Sequence, residues 1–244
     1  MTVPGPLDRA TDDAVVPVGP ASAAWAIGWV LGTIAVAPVV VAAFGASLGD
    51  ELTIPQLAVV VVGGWLVLLL ALAVVSRRSG TGSLVDDYAI RFRWGDLLGV
   101  PLGVVTQLAL VPLLYVPLRW AWPDTFATDE IEQRARDLVD RAGGWLTVVL
   151  VLVVVIGAPL VEELVYRGLL QRSVSTAIGS VAGLLGASVW FALIHLSPVE
   201  YPGLFLAGLV FGACVTVTGR IGPSIVTHAA FNATGLLIVL QSRG

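Results

Sequence analysis

Charged residues are scarce in this sequence. Asp, Glu, Lys and Arg make up 12% of its 244 residues, whereas ordinary soluble domains contain about 25%. Lysine is absent, so the 13 basic residues are all arginine, and the formal net charge is −4. Because no cluster of basic residues stands out, we do not expect a nucleic-acid partner.

Cysteine is almost absent as well. The one cysteine, Cys214, lies in an apolar run, and a single thiol forms neither an internal disulfide nor a cysteine-rich metal site. We interpret Cys214 and Ser188 as small packing residues. The zinc-protease motif H-E-x-x-H is missing, and the apolar segments contain no pair of aspartates, which excludes an aspartic protease mechanism.

Apolar residues dominate what is present, with a hydrophobic share of 57% and a mean hydropathy of +0.92. This composition is typical of membrane proteins, in which one helical crossing needs about 20 predominantly apolar residues. We predict an all-α, polytopic transmembrane bundle of seven spans, or eight if the fourth segment is a span plus a second helix. The predicted spans are 22–48, 55–76, 97–118, 144–174, 178–196, 203–219 and 223–241.

The predicted domain organisation is simple. Residues 1–21 are rich in Pro and Asp and predict a flexible tail, followed by a single transmembrane domain over 22–241. The fourth span is too long for one straight crossing, so we expect a kink at Gly157 and Pro159, where proline removes a backbone donor. The charged segment before that span has apolar residues at helical spacing and predicts a helix on the membrane surface.

The distribution of arginine predicts the orientation in the membrane. The loop after the second span carries Arg77, Arg78, Arg91 and Arg93. Because cytoplasmic loops are enriched in basic residues, this loop and the N terminus are predicted to be cytoplasmic. The predicted location is therefore the cell membrane, with several crossings, and the lipid bilayer is the first partner.

Few polar residues lie deep within spans three to seven, where each charge is expensive. Glu163 and Arg167 are four residues apart, which predicts an ion pair on one helix face. Glu162 points about 100° away from Glu163. His228 and Asn232 are also four apart and share a stripe, and the other histidine of the chain is His195.

Singly, each of these side chains can be interpreted as an interhelical ion pair or hydrogen bond. Together they place a carboxylate, two imidazoles and an amide on three helices, which predicts a shared polar cavity. A carboxylate paired with a histidine is suited to removing a proton from water. A second histidine and an asparagine on one stripe are suited to stabilising an oxyanion. The set indicates amide hydrolysis inside the membrane.

Three motifs in order, E-E-x-x-x-R at 162–167, F-x-x-x-H at 191–195 and H-x-x-x-N at 228–232, resemble those of the CPBP family. That family, also called Abi, comprises CAAX-type prenyl endopeptidases and bacteriocin-processing enzymes, and the resemblance covers about residues 144–241. It implies an α-helical intramembrane endopeptidase with a metal-independent glutamate mechanism, although the family was long labelled metalloprotease. By motif, Glu162 and His195 would activate water, His228 and Asn232 would form the oxyanion hole, and Glu163 with Arg167 would support the site.

Three alternatives stay open at this point. Glu162, His195 and His228 form a legitimate 2-His-1-carboxylate zinc set, so a divalent metal is an alternative to the expected absence of a cofactor. A catalytically silent membrane scaffold would use the same residues as structural contacts. A proton-coupled transporter would use them as a relay, but the halves show no internal symmetry. The substrate is expected to be a peptide or membrane protein, and the oligomeric state does not follow from the sequence.

The two histidines are expected at different depths in the membrane. If the fifth span begins at residue 178, His195 lies near its far end, whereas His228 lies near the start of the seventh span. At 1.5 Å per residue, their depths would differ by more than about 10 Å. Helix tilt, a kink at Pro159 or a later start of the fifth span would have to bring them together.

Overall fold

The structure, a computed structural model, describes residues 52–242 and the short pieces 38–39, 41–43 and 45. Within residues 52–242 every regular element is a helix, which confirms the predicted all-α class for this part of the chain. The predicted tail, 1–21, lies outside the described residues, as does the predicted first span, 22–48, apart from those pieces.

Eight helices follow one another in residues 52–242. They are α1 (Ile54–Ser79), α2 (Leu84–Asp87), α3 (Trp94–Ala121), α4 (Thr128–Arg141), α5 (Trp145–Ile178), α6 (Ser180–Leu193), α7 (Tyr201–Thr218) and α8 (Gly222–Gln241). Three stretches inside α3 and α5 have the wider π-helical hydrogen bonding: Thr106–Leu110, Leu152–Gly157 and Leu164–Gln171. Such π-helical turns occur frequently at functional sites.

Five of these helices, α1, α3, α5, α7 and α8, are long and apolar enough to cross a bilayer. These five helices confirm a multi-pass membrane architecture for the described residues. They do not confirm the predicted count of seven or eight spans. Helix α5 has 34 residues and continues through Pro159 by way of a π-helical turn. The predicted fifth span, 178–196, forms a helix of only 14 residues, about 21 Å long and too short for a full crossing.

Two residues with positive φ set the bounds of that short helix. Gly179, at φ +101°, separates α5 from α6, a conformation that glycine adopts without a steric penalty. Leu196, at φ +52°, ends the turn that follows α6. Neither break lowers the hydropathy of the sequence, which is why hydropathy made the predicted fifth span too long.

Helices α3 and α8 approach closely because glycines of α3 face the α8 backbone. A Cβ on Gly103 would lie 2.3 Å from the Thr227 carbonyl oxygen, and one on Gly99 would lie 2.7 Å from Thr227 Oγ1. Glycine is therefore needed for this contact. Further along the same pair, Gln107 of α3 lies beside Gly235 of α8.

The largest core cluster joins α1, α5, α6 and α7. Phe191 of α6 lies at its centre, edge-on to Tyr166 at a centroid distance of 5.4 Å and to Phe211 at 6.1 Å. Ser188, one turn earlier, is buried and donates a hydrogen bond to the Leu184 carbonyl within its own helix. This is the packing role predicted for Ser188.

The loop between α1 and α3 is organised by Asp87, whose side chain is fully buried. Its carboxylate accepts hydrogen bonds from Ser76 Oγ, from Thr81 N at 2.9 Å and from Thr81 Oγ1 at 2.8 Å. Burial alone raises the pKa of Asp87, but these hydrogen bonds outweigh it and hold the pKa below its ordinary value of 3.8. The arginine-rich loop is thereby tied to the end of α1.

Helix α4 is the amphipathic helix predicted ahead of the fourth span. Val139 is fully buried and packs in a cluster with Ile54 of α1 and Leu236 of α8, whereas Asp137 and Asp140 are exposed. Its apolar face therefore covers the end of the bundle where α1, α5 and α8 meet.

Candidate active site

The two adjacent glutamates of α5 have different surroundings. Glu163 is fully buried, and its carboxylate lies 3.2 Å from Nε of Arg167, which is also fully buried. The ion pair predicted from the i,i+4 spacing is therefore present. Arg167 reaches α7, where Nη2 donates to the Gly208 carbonyl at 3.1 Å, and its guanidinium lies 4.7 Å from the centre of the Phe191 ring.

Glu163 also fixes a histidine of α8. Its Oε1 accepts a hydrogen bond from His228 Nδ1 at 2.9 Å, and Ser224 Oγ donates to its Oε2. Because an ionised carboxylate only accepts hydrogen bonds, the Nδ1 of His228 carries a proton and Nε2 is the nitrogen left for chemistry. The Phe211 ring stacks on the imidazole at a centroid distance of 4.5 Å, which holds its plane.

Glu162 faces a cavity rather than the core, and 23% of its side chain is exposed. Its Oε2 lies 4.0 Å from Nε2 of His228. This separation is too long for a direct hydrogen bond, but one water molecule can bridge the two atoms. Glu162 and His228 thus face each other across a space that fits a water.

His195 reaches the same cavity from the end of α6. Its Nδ1 donates to the Phe191 carbonyl at 2.7 Å, since a carbonyl oxygen only accepts. The Phe191 ring lies 5.0 Å from the His195 ring and 5.6 Å from the His228 ring, between centroids. Both imidazoles therefore contact the Phe191 ring.

Asn232 is positioned by an irregularity of α5. Its Nδ2 donates to the Val154 carbonyl at 2.8 Å. Val154 lies in a π-helical stretch whose hydrogen bonds run from residue i to i−5, as from Ala158 N to the Val153 carbonyl. In that pattern the Val154 carbonyl would accept from the N–H of residue 159. Residue 159 is proline and has no N–H, so the Val154 carbonyl is available to Asn232. One N–H of the Asn232 amide is not used by Val154.

These side chains line one cavity of about 520 Å³. Its wall is mostly apolar, with contributions from α1, α3, α4, α5, α6, α7 and α8. The lining residues with carboxyl, imidazole, amide or phenol groups are Gln107, Tyr115, Glu162, His195, Glu200, His228 and Asn232. The four residues predicted to be catalytic, Glu162, His195, His228 and Asn232, therefore line one cavity. Glu163 and Arg167 are not among the lining residues and are buried in the protein.

Sequence reasoning missed three residues of this region. Ser224 precedes His228 by one helical turn, and that spacing was a usable signal. Gln107 is an amide within an apolar span, a signal of the same kind as Asn232. Tyr115, which donates to the Val199 carbonyl at 2.7 Å, gave no signal, because its partner is 84 residues away.

The residues present do not form a ready-made metal site. In the part of the chain that the structure describes, no three His, Cys, Asp or Glu side chains lie close enough together to hold a metal ion. The zinc set considered from the sequence, Glu162, His195 and His228, is not such a group among the described residues, and both of its imidazoles contact the Phe191 ring.

The comparison with protein families finds one similarity, and it lies in this region. Residues 144–234 match the family model described as Rce1-like, Type II CAAX prenyl endopeptidase. This segment is therefore similar to the CAAX endopeptidase family. The match runs from the start of α5 into α8 and covers rather more than a third of the chain. No match was found among curated proteins or among solved structures.

CAAX endopeptidases are peptidases, so the chain is a hydrolase of peptide bonds built into a multi-pass membrane protein. The matched segment contains Glu162, Glu163, Arg167, His195, His228 and Asn232. Helices α1, α3 and α4 lie outside the match, yet they complete the cavity wall with Ile54, Gln107, Tyr115 and Leu138.

Proposed function

We propose that this protein hydrolyses peptide bonds of peptide or membrane-protein substrates within the membrane, with Glu162 as the base that activates water. The observation that carries the proposal is the 4.0 Å separation of Glu162 Oε2 and His228 Nε2. A base within reach of one water, beside a nitrogen that can donate to the reacting carbonyl, is the minimum arrangement for such hydrolysis.

In the first step, Glu162 accepts a proton from water while the water oxygen bonds to the scissile carbonyl carbon. The π pair of the C=O bond moves onto its oxygen, which gives an oxyanion. His195 assists because its Nδ1–H is directed to the Phe191 carbonyl, so that Nε2 is the ring nitrogen suited to accept the second hydrogen of the water. In the second step the C–N bond breaks, and Glu162 returns its proton to the leaving nitrogen.

The oxyanion is stabilised from α8. When the His228 ring carries its second proton, Nε2–H is a donor on the cavity side, and the N–H of Asn232 that Val154 does not use is another. The buried carboxylate of Glu163 accepts the Nδ1 hydrogen bond of that imidazolium, and Arg167 Nε lies 3.2 Å from the same carboxylate. Donors fixed in this way need no reorganisation, and removing one costs about 10²–10³-fold in kcat.

The apolar wall of the cavity supports a proposal for the substrate class. Because the lining is mostly apolar, we propose that the substrate contributes an apolar stretch of peptide. The proposal does not require the substrate to carry the prenyl group that the family name specifies. The proposal keeps 22–48 as the first crossing, with a cytoplasmic N terminus. Its support is the enrichment of cytoplasmic loops in basic residues, together with Arg77, Arg78, Arg91 and Arg93 between α1 and α3.

The test is cleavage of a quenched-fluorescent peptide library by the purified full-length protein in detergent. Wild type and the control Asp137→Asn, an exposed position on α4, are expected to cleave equally. Glu162→Gln is expected to be at least about 10³-fold slower and His228→Ala about 10²–10³-fold slower. A strong chelator is expected to change none of these rates.

Three results would contradict the proposal in different ways. Full activity of Glu162→Gln would show that Glu162 is not the base. Loss of activity with the chelator, restored by zinc, would favour the metal-dependent alternative. An inactive wild type across the whole library would favour the catalytically silent scaffold.

A further inference from the structure

Gln107 carries an amide in the cavity that the mechanism above does not use. It lies in the π-helical stretch Thr106–Leu110 of α3, outside the segment 144–234 that matches the family. It lines the same cavity as Glu162 and Asn232. Its Oε1 is buried and has no hydrogen-bond partner among the described residues.

A buried amide oxygen without a partner destabilises a protein, because the oxygen has lost its hydrogen bond to water. Leucine would occupy a similar volume without that loss. Two other polar groups of the cavity wall are already bonded, since Asn232 donates to Val154 and Tyr115 donates to Val199. Rotation of the terminal amide, whose χ3 torsion has a broad minimum, would turn this acceptor toward the cavity that the side chain already lines, where it is suited to a bond with a molecule that enters.

The position of the amide relates it to the reaction centre. It packs against Gly235 of α8, where a Cβ would lie 3.3 Å from Gln107 Nε2. Gly235 follows Asn232 by three residues, so the two positions are neighbours on one helix face, about 4.5 Å apart along the axis. Gln107 thus lies about one turn of α8 from the amide assigned to the oxyanion.

An extended peptide inside such a cavity needs partners for its backbone. Its N–H and C=O groups have left water, and each unsatisfied group is costly. Every peptide has these groups whatever its sequence. A glutamine amide presents one acceptor oxygen and two N–H donors, the same two kinds of group that the backbone of a neighbouring strand would offer.

We infer that Gln107 binds the main chain of the substrate, with Oε1 accepting a hydrogen bond from a backbone N–H about one turn of α8 away from the scissile carbonyl. The inference rests on the proposed function, and it makes Gln107 a positioning residue rather than a catalytic one. Its contribution is the same for all peptides that reach the cavity, so it adds affinity without sequence specificity.

The first test compares Gln107→Leu with wild type on a peptide that wild type cleaves. KM is expected to rise about tenfold with kcat nearly unchanged, the pattern for loss of a contact made equally in ground and transition states. Gln133→Leu, an exposed position on α4, is the matched control and is expected to leave both constants unchanged. The Tm of Gln107→Leu is expected to equal or exceed that of wild type, which a structural role would not allow.

The second test separates binding from catalysis. A fluorescent peptide and its analogues, each with one amide replaced by an ester that lacks the N–H, are titrated into Glu162→Gln protein. One ester is expected to bind about tenfold more weakly, and this difference is expected to vanish in the Glu162→Gln/Gln107→Leu protein.

The two failures are distinguishable. An inactive wild type would overturn the proposed function, while the titrations would still decide the role of Gln107. The inference is overturned if no peptide binds Glu162→Gln protein, if the ester penalty persists without Gln107, or if Gln107→Leu leaves KM unchanged.

Discussion

At the scale of single residues, the buried carboxylate of Glu163 holds the site together. Arg167, His228 and Ser224 all contact it, from α5 and α8, and none of its side chain is exposed. Removing one partner of a buried ion pair costs about 3–5 kcal/mol because the other charge is left uncompensated. Replacing both charged partners by neutral groups is often close to neutral.

Arg167→Leu is therefore expected to lose about 3–5 kcal/mol of stability, seen as a lower Tm of the detergent-solubilised protein. The double variant Glu163→Gln/Arg167→Leu is expected to have a higher Tm than Arg167→Leu alone. Arg78→Leu, exposed at the end of α1, is the control and is expected to change stability by no more than about 0.5 kcal/mol. A wild-type Tm for Arg167→Leu would show that the pair does not support the fold.

The sequence predicts residue contacts well only where one helix carries both partners. The Glu163–Arg167 pair followed from a spacing of four residues, because helical geometry fixes it. The contact of Glu163 with His228 joins residues 65 apart, and no local rule reports such a distance. For the same reason the sequence did not show that Glu162 faces His228.

At the scale of elements, the π-helical turn of α5 before Pro159 connects helix geometry to the site. The turn leaves the Val154 carbonyl without a helical donor, and Asn232 of α8 takes it. The sequence predicted a kink at Gly157 and Pro159; the structure has a π-helical turn at Leu152–Gly157, and neither this turn nor the bond to Asn232 followed from the sequence. A proline in the sequence shows that a backbone N–H donor is missing. Which side chain takes the place of that donor depends on the packing of another helix.

Pro159→Ala is expected to restore an N–H at residue 159 that competes with Asn232 for a carbonyl of this turn. Stability is expected to be unchanged or higher, since proline is unfavourable inside helices. Activity is expected to fall about 10²-fold, because a shift of about 1 Å in a positioning group has an effect of that size. Measurement of kcat/KM checks the expected loss of activity, and measurement of Tm checks the expected stability. Wild-type activity in Pro159→Ala would show that the π-helical turn is not needed for catalysis.

At the scale of the whole molecule, α3 separates two sets of loops. It has 28 residues, about 42 Å of helix, with the arginine-rich loop before it and α4 after it. Hydropathy located this crossing, because a long apolar run in an otherwise polar surrounding is unambiguous. It failed for α6, whose bounds are set by backbone conformation at Gly179 and Leu196.

Cysteine labelling in intact cells tests this arrangement. In a Cys214→Ser background, Arg78→Cys and Asp124→Cys, both at exposed positions, are treated with a membrane-impermeant maleimide. Asp124→Cys is expected to be labelled from outside, and Arg78→Cys only after lysis, because basic loops are retained in the cytoplasm. Labelling of both positions from the same side would contradict the crossing by α3.

The central claim is that Glu162 removes a proton from the attacking water while His228, across the cavity, stabilises the oxyanion that forms. Its most direct test is kcat/KM on a single cleaved peptide for Glu162→Gln, His228→Ala and the double variant, with Asp137→Asn as control. Each single variant is expected to lose about 10²–10³-fold or more, and the double variant no more than the worse single one, because residues that act as a unit are not additive. Losses that multiply in the double variant, or wild-type kcat/KM in Glu162→Gln, would contradict the claim.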